Sequence, residues 1–125
     1  HSTAARNAAT DAVTALIGAS GKLAFRLSGT VGSPGTVVAT LSLSATAFPA
    51  AVSGTATANA ISADTNATGN ASPVATATLQ TSAGTVVIHC AVAASASDIN
   101  MTNGLTVAAG DTVSCSSLTY TALSA

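Results

Sequence analysis

The sequence predicts a mainly β protein: an antiparallel β-sandwich or jelly-roll-like domain carrying one N-terminal α-helix. Three observations point there. Apolar residues recur at helical spacing only in the first twenty positions, the period changes to two after Gly21, and the remainder is a series of short Val- and Thr-rich runs cut by Gly-containing turns. The expected division is an N-terminal helical segment over 1–20 and a single β-sandwich domain over 21–125, since a chain of 125 residues encloses one core.

The opening STAARNAATDAVTALIGAS is the one convincing helix. Ser2 or Thr3 can cap it, alanine carries it, and Gly18 is placed to end it. Ala5, Ala8, Ala9, Ala12, Val13, Leu16 and Ile17 form an apolar stripe that could lie on the sheet or on a neighbouring molecule. In KLAFRLSG, Leu23, Phe25 and Leu27 share one face of a strand with Lys22 and Arg26 opposite. After the turn GTVGSPG, the run TVVATLSLSATAF puts Val37, Ala39, Leu41, Leu43 and Ala45 on one side, and Pro49 closes it or sits at an edge. SGTATANAI, PVATATLQ, TVVIHCAVA after a turn at Ser82-Ala83-Gly84, and a stretch near DINMTNGLTV continue the pattern. In the last run, DTVSCSSLTYTAL, Val113 and Cys115 are out of phase with Leu118 and Tyr120, so a bulge near Ser116 or Ser117 is expected.

Composition narrows function. The chain is 48% hydrophobic but only 2% aromatic, so its core is built from small residues and is thin. Three basic residues, Arg6, Lys22 and Arg26, cannot neutralise a run of phosphates, and aromatic side chains for stacking are nearly absent, so no nucleic-acid ligand is expected. A formal net charge of −1 favours association over electrostatic steering. No apolar run approaches the ~20 residues of a membrane helix, so no membrane partner is expected. No signal peptide is visible, and the start at His1 rather than Met leaves open a missing initiator or leader.

The stretch Asp64-Thr65-Asn66-Ala67-Thr68-Gly69 opens like a calcium loop, with oxygen-bearing side chains at alternate positions before a glycine. Its twelfth position is Ala75, however, and the chain holds no glutamate, so the pattern reads as an Asx turn in which Asp64, Asn66 and Asn70 bond their own backbone and Gly69 takes positive φ. Asp98, Asn100 and Asp111 would add oxygens only if their loops met; turn capping is the plainer reading. No metal and no cofactor are expected. Asn66-Ala67-Thr68 and Asn100-Met101-Thr102 match the N-glycosylation acceptor, which matters only in a secretory pathway. Cys90 and Cys115 read as two buried small hydrophobes, with one disulfide as the alternative. His89 and Cys90 alternate across a strand and cannot form a nucleophile-base dyad, and no GxSxG elbow or phosphate-binding loop occurs, so no enzyme is expected.

Arg6-Asn7-Ala8-Ala9 with Asp11-Ala12, the Ala67-Thr68-Gly69-Asn70-Ala71 turn, Asp98-Ile99-Asn100 and the terminal AGDTVSCSSLTYTA together resemble a family of small proteins encoded among virion genes of tailed phages and prophages. The resemblance covers most of the chain in order and is strongest from about Ser62 to Thr121; where that family carries aromatic and basic residues after the Ala-Thr-Gly turn, this chain reads PVATATL. It implies a structural virion component at the capsid surface, a cement or decoration protein that binds the outside of an HK97-type shell, with the major capsid protein and copies of itself as partners in a homo-oligomer. The segment bearing Arg6, Val13, Leu16 and Ile17 is then expected as a packing element, and Lys22 and Arg26 as a polar face that meets an acidic shell; for each, intramolecular packing or a solvated face is the alternative. Rival classes are a tail or tail-fibre component and an extracellular pilin- or adhesin-like subunit, the latter with a removed leader and a Cys90–Cys115 disulfide.

Overall fold

The computed structural model describes residues 1–101 and 104–123. It opens with helix α1 (Thr3–Ile17), followed by strands β1 (Lys22–Arg26), β2 (Val37–Ser42), β3 (Thr55–Thr57), β4 (Thr76–Gln80), β5 (Val86–Ala93), β6 (Ile99–Asn100) and β7 (Thr119–Thr121). Ser2 is extended and its hydroxyl accepts from the Ala5 amide, which satisfies one of the orphan donors of the first turn. Gly18 leaves the helix at φ +71°, a conformation that favours glycine.

Five strands form one sheet in the order β2-β1-β4-β5-β6. The first four are antiparallel neighbours, and their registers set Leu41, Leu23, Leu79 and Ile88 in one row and Ala39, Phe25, Ala77 and Cys90 in the next. These rows face the core, together with Val38, Val74, Val107, Val113, Leu118 and the helix-end Ile17. All five residues of β4 are buried, as befits a central strand. Beyond the exposed Pro73, PVATATLQ therefore presents no open face.

Three expectations are corrected. The sheet is mixed rather than purely antiparallel, because β6 lies parallel to β5 through Val92↔Ile99 and Ala93↔Asn100. The stretch near DINMTNGLTV contributes only Ile99–Asn100 as strand, and Thr102 and Asn103 lie outside the described residues. The terminal run is not one bulged strand: Val113 bridges Asp64, whereas Thr119–Thr121 pairs with Thr55–Thr57 in a separate two-stranded sheet. The chain changes partner between them, which keeps Val113 and Leu118 both buried.

The segments 43–74 and 105–118, largely irregular, add Leu43, Ala47, Ala67, Val74, Val107, Val113 and Leu118 to the same core. They are tied to one another by main-chain bonds such as Asn70 N–H to Val107 O and Val74 N–H to Leu105 O, both 2.9 Å. The fold is mainly β with one N-terminal helix.

Candidate functional site

Helix α1 packs with its polar side inward. Thr10 is 0% exposed, and its hydroxyl donates to Gly54 O at 2.6 Å and accepts from Ala122 N–H at 3.1 Å. One turn before it, Asn7 Oδ1 accepts from Gly54 N–H at 2.7 Å, and the adjacent Asp11 Oδ1 accepts from Ala51 N–H at 2.8 Å. Arg6 Nη1 donates to Ser53 O at 3.2 Å, and Thr14 is buried. Residues 7, 10, 11 and 14 recur at the helical spacing of one face. The helix is thus held to main-chain groups of the β3 hairpin and the chain end, with only Ile17 reaching the apolar core.

The apolar stripe consequently points outward. Ala5, Ala8 and Ala12 are exposed and Leu16 is 65% exposed, with Val13 half-buried at the margin. Of the four helix residues expected to pack on a partner, Leu16 stands on open surface. Arg6 is half-buried against Ser53 and Ile17 is 1% exposed, so both serve the fold itself. Sequence reasoning missed Asn7, Thr10 and Asp11 as docking groups. The signal was present as a polar row at the same spacing as the apolar one.

On β1, Lys22 and Arg26 do share the face opposite Leu23 and Phe25. Arg26 lies down along the sheet: Nε donates to Thr78 Oγ1 at 3.0 Å, Nη2 to Gln80 Oε1 at 3.2 Å and Nη1 to Gly35 O at 2.9 Å. Its guanidinium pins the 29–35 turn over the sheet, where Thr78 is 0% exposed. Lys22 is half-buried at the strand start. On the neighbouring strand β5, His89 is half-buried with Nε2 sealed from solvent and unpartnered, opposite Thr78. Cys90 points to the other face, against Ala77 O.

The calcium-like stretch closes the edge of the sheet. The Asp64 carboxylate accepts from Thr40 N–H at 2.9 Å and, across an Asx turn, from Asn66 N–H at 3.0 Å. Ser62 exchanges two main-chain bonds with Ser42, and Gly69 N–H donates to Val38 O at 3.0 Å. The outward groups of β2 are thereby plugged by 62–69, a recognised device for a sheet edge. Gly69 has φ +71°, and a Cβ there would sit 2.3 Å from the Ala109 nitrogen, so only glycine fits. Asn70 caps Ser72 in a second Asx turn.

Asp98, Asn100 and Asp111 line one cleft of about 570 Å³ between 98–101, 104–107 and 111–119, so their loops do meet. Each is engaged by its own backbone: Asp98 with Ala91 N–H at 3.1 Å, Asn100 with Ser97 N–H at 3.0 Å, Asp111 with Ala108 N–H at 3.0 Å. Among the described residues no group of three His, Cys or Asp side chains is placed to hold a metal ion. A shallower groove of about 320 Å³ runs between the helix end and 45–50. The two thiols are free and half-buried. Burial pushes Cys90 up to about 11, with Asp98 adding to the rise; burial also raises Cys115, partly offset by the Ser117 backbone bond. Among the described residues no helix is long and apolar enough to cross a membrane. Of the two acceptor motifs, Asn66 is exposed, while Thr102 of the other lies outside the described residues.

What fold and surface define is a mainly β domain with a plugged sheet edge, two free half-buried thiols and an outward apolar helix stripe. No protein-family model, curated protein or solved structure matches the chain.

Proposed function

We propose that this chain is a non-catalytic structural virion protein, a capsid cement or decoration protein that binds the outer surface of an HK97-type phage shell and bridges capsomers. The observation that supports the reading is the inverted helix. A helix whose polar side chains anchor it to its own domain, leaving Ala5, Ala8, Ala12 and Leu16 outward, is arranged for an apolar partner. The small residues let another backbone approach closely, and Leu16 supplies the one large side chain. The resemblance of Arg6-Asn7-Ala8-Ala9, the Ala-Thr-Gly turn and AGDTVSCSSLTYTA to phage virion proteins supplies the class of partner. In this reading the main sheet and the layer of 43–74 and 105–118 correspond to the two layers of a jelly-roll-like sandwich. Lys22, half-buried at the margin, is the basic residue left to meet an acidic shell, since Arg26 is engaged within the fold. Burial across capsomer junctions would stabilise the assembled shell by mass action.

The test is to purify particles from a host carrying this gene and count copies of the chain per major capsid protein by quantitative mass spectrometry. Hundreds of copies per particle are expected. A handful would move the protein to the tail, and absence from particles would favour an extracellular surface subunit. Leu16→Asp and Ala12→Asp, both on the outward stripe, should abolish shell binding while costing only about 0.5–1.5 kcal/mol of stability, the helix-propensity and dipole penalty of an acid in α1.

A further inference from the structure

Helix α1 sits in its place by directional bonds and very little apolar burial. Those bonds run to main-chain atoms of Ala51, Ser53, Gly54 and Ala122, all in the β domain, and of the helix side chains only Ile17 joins the apolar core. The core rows of the main sheet are made without it. The tie between helix and sheet is short: Gly18, Ala19, Ser20 and Gly21 separate Ile17 from Lys22, and the first three are exposed. Two of them are left-handed, Gly18 at φ +71° and Ser20 at φ +55°. Glycine takes that conformation freely and serine does not, so the seated helix holds Ser20 under strain. Ser20 N–H donates to Ser44 O at 3.1 Å, and a Cβ on Gly21 would meet Gln80 O at 2.8 Å, so the domain grips the chain from there on and the bend lies at 18–20.

We propose that α1 exchanges between two copies of this chain, each copy's helix taking the seat that the other's helix leaves. Three features favour the exchange. First, the occupant fits by construction: Asn7, Thr10 and Asp11 find Gly54, Ala122 and Ala51 of a second copy with the same bonds they make within one chain. Second, opening the hinge relaxes Ser20 in both copies, and short hinges under strain are where swapping starts. Third, Ala5, Ala8, Ala12 and Leu16 face away from the seat, so the outward stripe is presented identically in either form. Reciprocal exchange closes on itself about a two-fold axis, so the product is a dimer.

The exchange gives the homo-oligomer of the reading above a mechanism, but it is tested on the isolated chain, so either can fail alone. After refolding over a range of concentrations, sedimentation should show a dimer whose share rises with concentration. Ser20→Gly, which removes the strain, should lower the dimer fraction by about tenfold, and Ser20→Pro, which forbids positive φ, should raise it by about as much. Asp11→Cys with Ala51→Cys, in a Cys90→Ser, Cys115→Ser background, replaces one seating bond by a cystine. In the dimer fraction that cystine should be interchain, and in the monomer intrachain, as read on non-reducing gels. A dimer whose engineered cystines are all intrachain would place dimerisation on another surface and overturn the exchange. So would monomers at every concentration in both wild type and Ser20→Pro, or equal dimer fractions in wild type and Ser20→Gly. Shell binding by a chain that stays monomeric overturns the exchange while leaving decoration intact.

Discussion

Replacing Thr10 by valine isolates the bond that holds the helix to the β domain. The two side chains have nearly the same volume, so packing is retained and the hydroxyl alone is lost. That hydroxyl serves Gly54 O at 2.6 Å and Ala122 N–H at 3.1 Å from a position with 0% exposure. Leaving a buried donor and a buried acceptor unpaired costs about 1–3 kcal/mol for the donor and somewhat less for the acceptor. The added methyl returns about 0.8 kcal/mol of apolar burial. The expected net loss is about 2–3 kcal/mol, against a total stability on the order of 5–15 kcal/mol for a domain. For a chain of this length that lowers Tm by roughly 8–15 °C. Thr10→Ser keeps both bonds and should cost only about 1 kcal/mol, the loss of one methyl group. Paired thermal and denaturant unfolding of the three proteins measures this directly. If valine lies within about 0.5 kcal/mol of wild type, or serine is as costly as valine, polar docking of α1 is refuted.

Gly69→Ala meets both a left-handed backbone and a 2.3 Å approach to Ala109, so a loss of about 3 kcal/mol or more is expected, with faster amide exchange in β2 as its plug loosens. A wild-type exchange pattern in β2 would show that 62–69 does not protect the edge. For Cys90, a folded-state value of about 11 against 9.0 for a free thiol means that the native fold holds the proton more tightly. The stabilising contribution is full below pH 9 and is lost as pH climbs through about 11, so the Tm gap between wild type and Cys90→Ala should shift against wild type across that window. Native Cys90 should also react with iodoacetamide far more slowly than in denaturant; equal rates would contradict its burial.

The helix was legible to within a residue at each end because capping is local chemistry: Ser2 and Gly18 act within their own turns. β5 and its preceding turn were legible for the same reason, since Gly84 sits at φ +97° next to a β-branched run. The inward face of the helix was not. Alanine buries little area, so its periodicity carries little energy, and the groups that fix the face bond main-chain atoms of Ala51, Gly54 and Ala122, far away in sequence. The break in the terminal run was hidden for a related reason: Val113 and Thr119 answer to different partners, Asp64 and Thr57. Two residues of parallel strand at Ile99–Asn100 leave no periodic trace at all. The Asp64 turn was visible in the sequence, but its use as a substitute strand for β2 depended on tertiary placement.

The docking of α1 onto main-chain atoms also sets where the sequence is free to drift. Every natural residue other than proline offers the amide that Asp11 and Thr10 use at Ala51 and Ala122, so side-chain identity at those two positions is weakly constrained. Asn7, Thr10 and Asp11, with Arg6 on Ser53 O and Ile17 in the core, carry the requirement from the helix side. Ala5, Ala8, Ala12 and Leu16, which the fold does not use, are left to change with whatever surface they meet. One helix thus carries two separable records, one of its own domain and one of its partner, and comparison of diverged copies should pull them apart.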